Sequence, residues 1–137
     1  MSRVTAVPGG TLILDSEGLA KAVRRDREVT AWLALARADD VRVVTSAATL
    51  VEVMHPELKR PALDWTLSRI VIEPVTEAIA RRAAALLGDA GLHGHKYAID
   101  ALVSATALDS PDPVTILTSD PQDLRMLCGR HATLIKI

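Results

Sequence analysis

The sequence predicts an α/β fold in which helices cover both faces of a central parallel sheet. Short runs rich in leucine and β-branched residues, such as Thr11 to Leu14 and Val114 to Leu117, lie between proline or glycine and helix-starting residues. Runs of this kind are typical of strands that a parallel sheet buries on both faces. Segments with helical spacing separate them, and this alternation favours parallel strands joined by right-handed crossovers. We therefore expect one three-layer α/β/α domain over residues 1–137, with residues 1–10 as a short N-terminal tail.

The first half of the chain is predicted to contain two strands and four helices. Asp15, Ser16 and Glu17 supply cap residues after the first strand. Thr45 and Ser46 cap the third helix, and Pro56 ends it because proline cannot continue a helix. The predicted strands are residues 11–14 and 42–44, and the predicted helices are residues 19–26, 29–38, 47–54 and 57–69.

The second half is predicted to alternate strands and helices regularly. Gly88 or Gly91 ends the fifth helix, since glycine is the common residue after a helix C-terminus. Ile99, Leu102 and Val103 begin an apolar stripe at helical spacing in the sixth. The predicted strands are residues 70–72, 114–117 and 133–137, and the predicted helices are residues 76–87, 96–108 and 120–127. The sequence shows no internal repeat and no interdomain linker.

Composition limits the kinds of nucleic-acid binding that can be expected. The formal net charge is −1, which argues against a globally basic binder but leaves local basic clusters as phosphate contacts. Solvated helix faces explain the same clusters, which are Arg24, Arg25 and Arg27, then Lys59 and Arg60, then Arg81 and Arg82. The chain has no phenylalanine, so an aromatic platform for stacking bases is not indicated. Trp32 and Trp65 are interpreted as core or interface residues.

Cysteine usage and hydropathy indicate the compartment. Cys128 has no second cysteine to pair with and lies in an apolar helical run, so we interpret it as a small core residue in a reducing environment. No window approaches the roughly 18 consecutive apolar residues of a membrane span. The first ten residues contain no apolar stretch of secretory length. The expected location is the cytoplasm.

Four acidic residues form the candidate site: Asp15, Glu52, Asp100 and Asp120. Asp15 and Asp120 come directly after predicted strands, and sites in open α/β sheets form beyond the carboxyl ends of strands. Carboxylates that converge there repel one another unless a divalent cation lies between them. Hard oxygen ligands suit Mg²⁺ or Mn²⁺, and the sequence has no Cys/His cluster of the kind that binds zinc. The pattern predicts a metal-dependent phosphodiester hydrolase.

Each acidic residue also has a structural explanation. Asp15 and Asp120 stand at N-cap positions, and Asp123 fits as an acidic partner three residues after Asp120. Glu52 could face solvent on its helix, whereas Asp100 is harder to explain in an otherwise apolar helix. His95 is either a surface histidine or a phosphate or base contact.

Taken in order, the motifs resemble those of PIN-domain ribonucleases, and among these the VapC-type toxins of bacterial toxin–antitoxin pairs. The segments that carry the resemblance are Leu-Ile-Leu-Asp15-Ser-Glu, Thr45-Ser-Ala-Ala-Thr-Leu-Val-Glu52, Asp100-Ala-Leu-Val-Ser-Ala-Thr-Ala-Leu and Leu117-Thr-Ser-Asp120-Pro-Gln-Asp123-Leu. It covers the chain from Leu12 to Ile137. The resemblance implies that the four acidic residues bind one or two Mg²⁺ or Mn²⁺ ions. It implies weaker roles for Asp123, Ser119, Thr118 and Ser16.

The same resemblance implies an RNA substrate, an antitoxin that blocks the site, and a homodimer. Apolar residues in the segments 19–38 and 49–67 offer a surface for the antitoxin. The strongest alternative is a non-catalytic PIN-like module that binds RNA or protein. A dehalogenase-type phosphatase would need a second aspartate where Glu17 stands. A phosphoacceptor domain would need paired acids around the end of the first strand and a lysine after a late strand, and neither is evident. The glycine motifs of nucleotide-binding loops do not occur.

Overall fold

The structure, a computed structural model, describes residues 9–137. The predicted tail therefore lies outside the described residues, except for Gly9 and Gly10. The strands are β1 Thr11–Leu14, β2 Arg42–Ser46, β3 Val71–Glu73, β4 Val114–Thr118 and β5 Thr133–Lys136. They form one parallel sheet in the order β3-β2-β1-β4-β5. The predicted parallel α/β architecture is confirmed.

All the predicted helices are present, and their ends differ from the predicted ones by a few residues. The helices are α1 Ser16–Val23, α2 Arg27–Ala38, α3 Thr49–Val53, α4 Arg60–Leu67, α5 Glu77–Ala90, α6 Gly94–Leu108 and α7 Pro121–Cys128. Helix α1 begins three residues before the predicted Leu19 because Asp15 caps it directly. Helix α5 runs past Gly88 and ends at Gly91, whose φ of 67° is the left-handed conformation that glycine adopts easily.

The sheet separates two apolar layers. Leu12 and Leu14 of β1 pack on the side of α1 to α4, together with Leu19, Val29 and Leu63. Ile13, the residue between them, faces the other side, where the core is built from α6 and α7. Helix α5 packs against α6 from outside. Successive residues of a strand face opposite sides of the sheet. Because helices cover both sides here, consecutive positions such as Leu12, Ile13 and Leu14 must all be apolar.

Two smaller expectations concern the core and the membrane. Cys128 is buried on the α7 side of the sheet, as the apolar run predicted. Over residues 9–137, no helix is both long enough and apolar enough to cross a membrane.

The register of the central strands aligns the edge where the candidate residues follow. Leu14 of β1 is paired with Thr45 of β2 and with Leu117 of β4, so these three strands end side by side. Gly18 lets α1 approach β4, because a Cβ at this position would lie 3.0 Å from the Leu117 carbonyl oxygen. The segments that follow β1, β2 and β4 therefore meet at one edge of the sheet.

Candidate active site

A cavity of about 360 Å³ opens at this edge, and all four predicted carboxylates line it. Its walls come from α1, from α3 and the residues after it, from α6 and from the loop between β4 and α7. The lining residues are Asp15, Ser16, Glu17, Ala20, Arg24, Glu52, Val53, His55, Asp100, Ser119 and Asp120. The fold thus brings together side chains that are widely separated in the sequence.

Asp15 has both a structural and a site position. It is 8% exposed, and its carboxylate accepts a hydrogen bond from the Gly18 N–H at 2.8 Å, which caps α1. Burial raises the pKa of Asp15, while hydrogen bonds from the Thr118 hydroxyl and the Gly18 N–H act in the opposite direction. The predicted cap is confirmed, and the capping carboxylate also lines the cavity.

Asp120 behaves differently, although it also precedes a helix. Among the described residues, its side chain makes no capping hydrogen bond to α7, so the capping interpretation is wrong here. Its backbone N–H donates to the Thr118 hydroxyl at 2.9 Å, and Pro121 begins the helix. The exposed carboxylate of Asp120 lies beside Asp123, and a hydrogen bond that forms only when one of the two carboxyls is protonated raises the pKa of Asp123. Thr118 and Asp123 therefore lie beside the cavity and contact residues that line it.

Asp100 occupies the most repulsive position. Burial is the main cause that raises its pKa from 3.8 to about 6, followed by the negative charges of Asp123, Asp15, Asp120 and Glu52. The side chain projects from α6, whose other face packs in the apolar core. An acidic residue in this apolar helix is thus explained by the cavity that it faces.

Glu52 is exposed, and it reaches the site through the polar support of α3. The Thr45 hydroxyl donates to the Leu14 carbonyl oxygen at 2.8 Å, and the Thr49 hydroxyl donates to the Ser46 carbonyl oxygen at 2.8 Å. These buried bonds attach the start of α3 to the ends of β1 and β2. The Ser16 hydroxyl then donates to the Glu52 carboxylate at 2.5 Å. Ser16 therefore links the two walls of the cavity.

Three polar lining residues have no predicted role in the site. Arg24 is predicted only as part of a basic cluster, Glu17 only as a cap residue, and His55 has no predicted role. Glu17 and Arg24 form an ion pair at 3.3 Å. Their spacing of seven residues places them on one helix face with Ala20, which is the signal that could have found them. His95 does not line the cavity.

The donor set suits a hard divalent cation by its chemistry, since carboxylate oxygens are what Mg²⁺ and Mn²⁺ prefer. As the side chains of residues 9–137 are placed, no three His, Cys, Asp or Glu residues are close enough together to ligate one ion. Mg²⁺ commonly keeps several waters and takes only one or two carboxylates, so this spacing still fits such an ion. A cation would also offset the burial and the neighbouring negative charges that raise the pKa of Asp100.

Chains in several solved structures share this fold. A chain of VapBC2 from Rickettsia felis, solved bound to a DNA fragment from the promoter, has a TM-score of 0.70 and 18% sequence identity, covering 93% of this chain and 98% of that one. A chain of FitAB bound to the IR36 DNA fragment has a TM-score of 0.62 and 19% sequence identity, covering 91% of this chain and 94% of that one. A chain of FitAcB from Neisseria gonorrhoeae has a TM-score of 0.58 and 19% sequence identity, covering 91% of this chain and 96% of that one.

At these identities the likeness shows the fold. It confirms, at that level, the predicted resemblance to VapC-type PIN domains. No protein-family model matches the sequence, and no curated protein is significantly similar to it.

Proposed function

We propose that this chain is a metal-dependent endoribonuclease that acts as the toxin of a toxin–antitoxin pair. The observation that carries the proposal is the convergence of Asp15, Glu52, Asp100 and Asp120 on one cavity, with the pKa of Asp100 raised to about 6. Acids that repel one another at neutral pH without a neutralising group are typical of functional sites. The fold shared with chains of VapBC2 and FitAB supports the toxin assignment.

The four carboxylates are the residues that would hold Mg²⁺ or Mn²⁺. Such an ion supplies a Lewis acid for the phosphodiester and lowers the pKa of water at the site. Asp15 presents a fixed oxygen, because its cap bond to Gly18 and its burial restrict the side chain. Asp120 presents a more adaptable one. By resemblance, hydrolysis would leave 5′-phosphate and 3′-hydroxyl ends on the RNA.

Asp100 controls the protonation of the site. With a pKa of about 6, its carboxyl takes up a proton in mildly acidic solution, and the proton competes there with a cation. Above that pH it is ionised and available as a ligand or as an acceptor for the proton of the attacking water. We therefore expect cleavage to fall on acidification, over a pH range that moves lower as the concentration of Mg²⁺ or Mn²⁺ is raised.

Cleavage of RNA by the purified chain in Mn²⁺ or Mg²⁺ tests the enzymatic proposal. The expected result is cutting that EDTA and Asp100→Asn both abolish. A folded chain, free of any bound partner, that cuts no better than Asp100→Asn across total cellular RNA would contradict it. That result, with partner binding retained, would favour the non-catalytic binding module.

The partner proposal is supported by a second cavity of about 430 Å³ between α1, α2 and α4. Trp65 lies on it, 46% exposed, with the guanidinium groups of Arg25 and Arg69 stacked on its ring at 4.6 and 4.3 Å. Leu33 and Ile70 add apolar surface. Apolar side chains edged by arginine fit an amphipathic segment that carries acidic residues, and the antitoxin would supply that segment.

Expression in a bacterial host tests the partner proposal. The chain alone should arrest growth, and coexpression of the small protein encoded beside it should restore growth. Arg69→Glu should weaken that rescue, whereas Arg81→Glu on α5 should not. The toxin assignment would be contradicted if the chain is harmless when expressed alone and does not copurify with that small protein when the two are coexpressed.

We also expect a homodimer, which sedimentation would detect.

A further inference from the structure

The acidic cavity has a cationic end. Glu17, Ala20 and Arg24 follow one another at spacings of three and four, so they lie on the same face of α1 and line the same wall. Asp15 marks the start of this helix and Arg24 its end. With a rise of 1.5 Å per residue, the Arg24 backbone lies roughly 13 Å along the helix from that of Asp15. The wall therefore runs from the carboxylates to a guanidinium.

Arg24 is held at the cavity by a weak contact. Its side chain is 56% exposed and is paired with Glu17, whose side chain is 39% exposed, at 3.3 Å. Exposed ion pairs of this kind contribute little free energy, so an incoming anion can replace the glutamate. The planar guanidinium binds a phosphate through two parallel N–H donors, which an ammonium cannot do.

We propose that Arg24 binds a phosphate that flanks the scissile one, and that this phosphate displaces Glu17, which pairs with the guanidinium when RNA is absent. The inference rests on the proposed function, because it takes single-stranded RNA as the occupant of the cavity. The carboxylates repel a phosphate backbone, and the chain as a whole carries a net charge of −1. A cation at the far end of the cavity supplies local attraction and sets the direction in which the strand enters.

Binding of a short fluorescein-labelled single-stranded RNA to the Asp100→Asn variant in EDTA tests the phosphate contact without any cleavage. Adding Arg24→Gln should weaken binding roughly three- to tenfold at low salt and reduce the slope of log affinity against log salt by about 0.7. Arg81→Gln is the matched control, because Arg81 is also an exposed arginine paired with a glutamate, Glu77 at 2.7 Å, but on α5. It should change neither quantity, and Arg24→Lys should retain the slope.

The role of Glu17 is tested by a double-mutant cycle in the same assay. Glu17→Gln should tighten RNA binding more when Arg24 is present than when Arg24→Gln is also present, because only then does it release a guanidinium. Equal tightening in both backgrounds would show that Glu17 acts by its charge alone and would overturn the proposed displacement of Glu17 from Arg24.

Equal affinities and slopes for Arg24→Gln and Arg81→Gln would overturn the phosphate contact. These outcomes are separate from the nuclease test. RNA that binds through Arg24 but is never cut would contradict only the enzymatic proposal, and cleavage that ignores Arg24→Gln would contradict only this inference. Melting curves of each variant establish that it is folded.

Discussion

Two strand–helix junctions at the same edge of the sheet carry the same sequence pattern, an aspartate between a strand and a helix, but use the aspartate differently. The first junction, β1–Asp15–α1, and the second, β4–Asp120–α7, follow strands that are direct neighbours. At the first, the aspartate is buried and caps its helix. At the second, the aspartate is exposed and, within the described chain, leaves its helix uncapped.

The difference lies in which group satisfies the backbone. At the second junction Thr118 accepts the Asp120 N–H, and Pro121 has no N–H that needs a partner. The carboxylate of Asp120 is therefore not needed to cap α7. The first junction offers no such substitute, so Asp15 must serve both the helix and the cavity. One local pattern therefore specifies where a carboxylate lies but not how it is used.

The largest expected effect is a loss of activity that is the same at both junctions. Asp15→Asn and Asp120→Asn each keep the size of the side chain and remove the charge, so each should lower metal-dependent RNA cleavage by at least about a hundredfold. Steady-state kcat/KM in Mn²⁺ measures this, with Asp109→Asn at the far end of α6 as the control. Near-normal cleavage by either variant would remove that junction from the site.

The second expected effect concerns the carboxylate that both junctions repel. The folded-state pKa of Asp100, about 6, exceeds its ordinary value of 3.8, so the folded state binds the proton more tightly than the unfolded state. The resulting stability is fully present below about pH 4 and is lost as the pH rises through about 6. At neutral pH without metal, Asp100→Asn should therefore raise the free energy of unfolding, on the order of 1–2 kcal/mol for this partly exposed group.

Urea unfolding at neutral and mildly acidic pH, in EDTA, measures the Asp100 effect. The gain from Asp100→Asn should shrink on acidification, whereas Asp109→Asn should show no such pH dependence. Saturating Mn²⁺ should stabilise the wild type by about 2–3 kcal/mol at a hundredfold excess over Kd, and Asp100→Asn much less. A wild type that is indifferent to Mn²⁺ would contradict metal binding at the site. An Asp100→Asn variant that is less stable than the wild type in EDTA would contradict the raised pKa of Asp100.

The smallest effect separates the junctions directly. Asp15→Ala and Asp15→Asn both remove the charge, but only asparagine keeps an acceptor for the Gly18 N–H. Asp15→Ala should therefore be less stable than Asp15→Asn by about 1 kcal/mol. Asp120→Ala and Asp120→Asn should differ by only a few tenths of that. An equal gap at both positions in denaturant midpoints would mean that Asp120 also caps its helix in solution.

The sequence predicted the positions of the strands, and of Asp15 and Asp120, because both depend on local patterns. Glu52 and Asp100 lie on helices, and the resemblance placed them in the predicted site. Continuous apolar runs mark buried strands, and the residue after such a strand lies at the sheet edge whatever the rest of the chain does. It could not predict that Asp120 leaves α7 uncapped, since that depends on the orientation of Thr118. The bond between Ser16 and Glu52 joins residues 36 positions apart, and no local pattern reports it.

Helix ends and surface roles were the other weak points. The segment before α4 was predicted as helix from residue 57, but the helix begins at Arg60, with Pro61 in its first turn. Helix propensity does not resolve such a boundary, because proline is compatible with several positions in a first turn. Trp65 was interpreted as a core or interface residue. It is half exposed between two arginines, and whether that surface is an interface depends on a partner.

The strand order also affects the stage of folding at which the carboxylates of the site come together. Pairing β1 with β4 brings Thr11 beside Val114 and closes a loop of about a hundred residues, the kind of distant contact that slows folding. While β4 is unpaired, Asp15 and Glu52 can reach their native positions without Asp120 beside them. We therefore expect the negative charges to become crowded only late in folding, when β4 pairs with β1. A divalent cation should act there, slowing the opening of the finished sheet more than it accelerates the early steps.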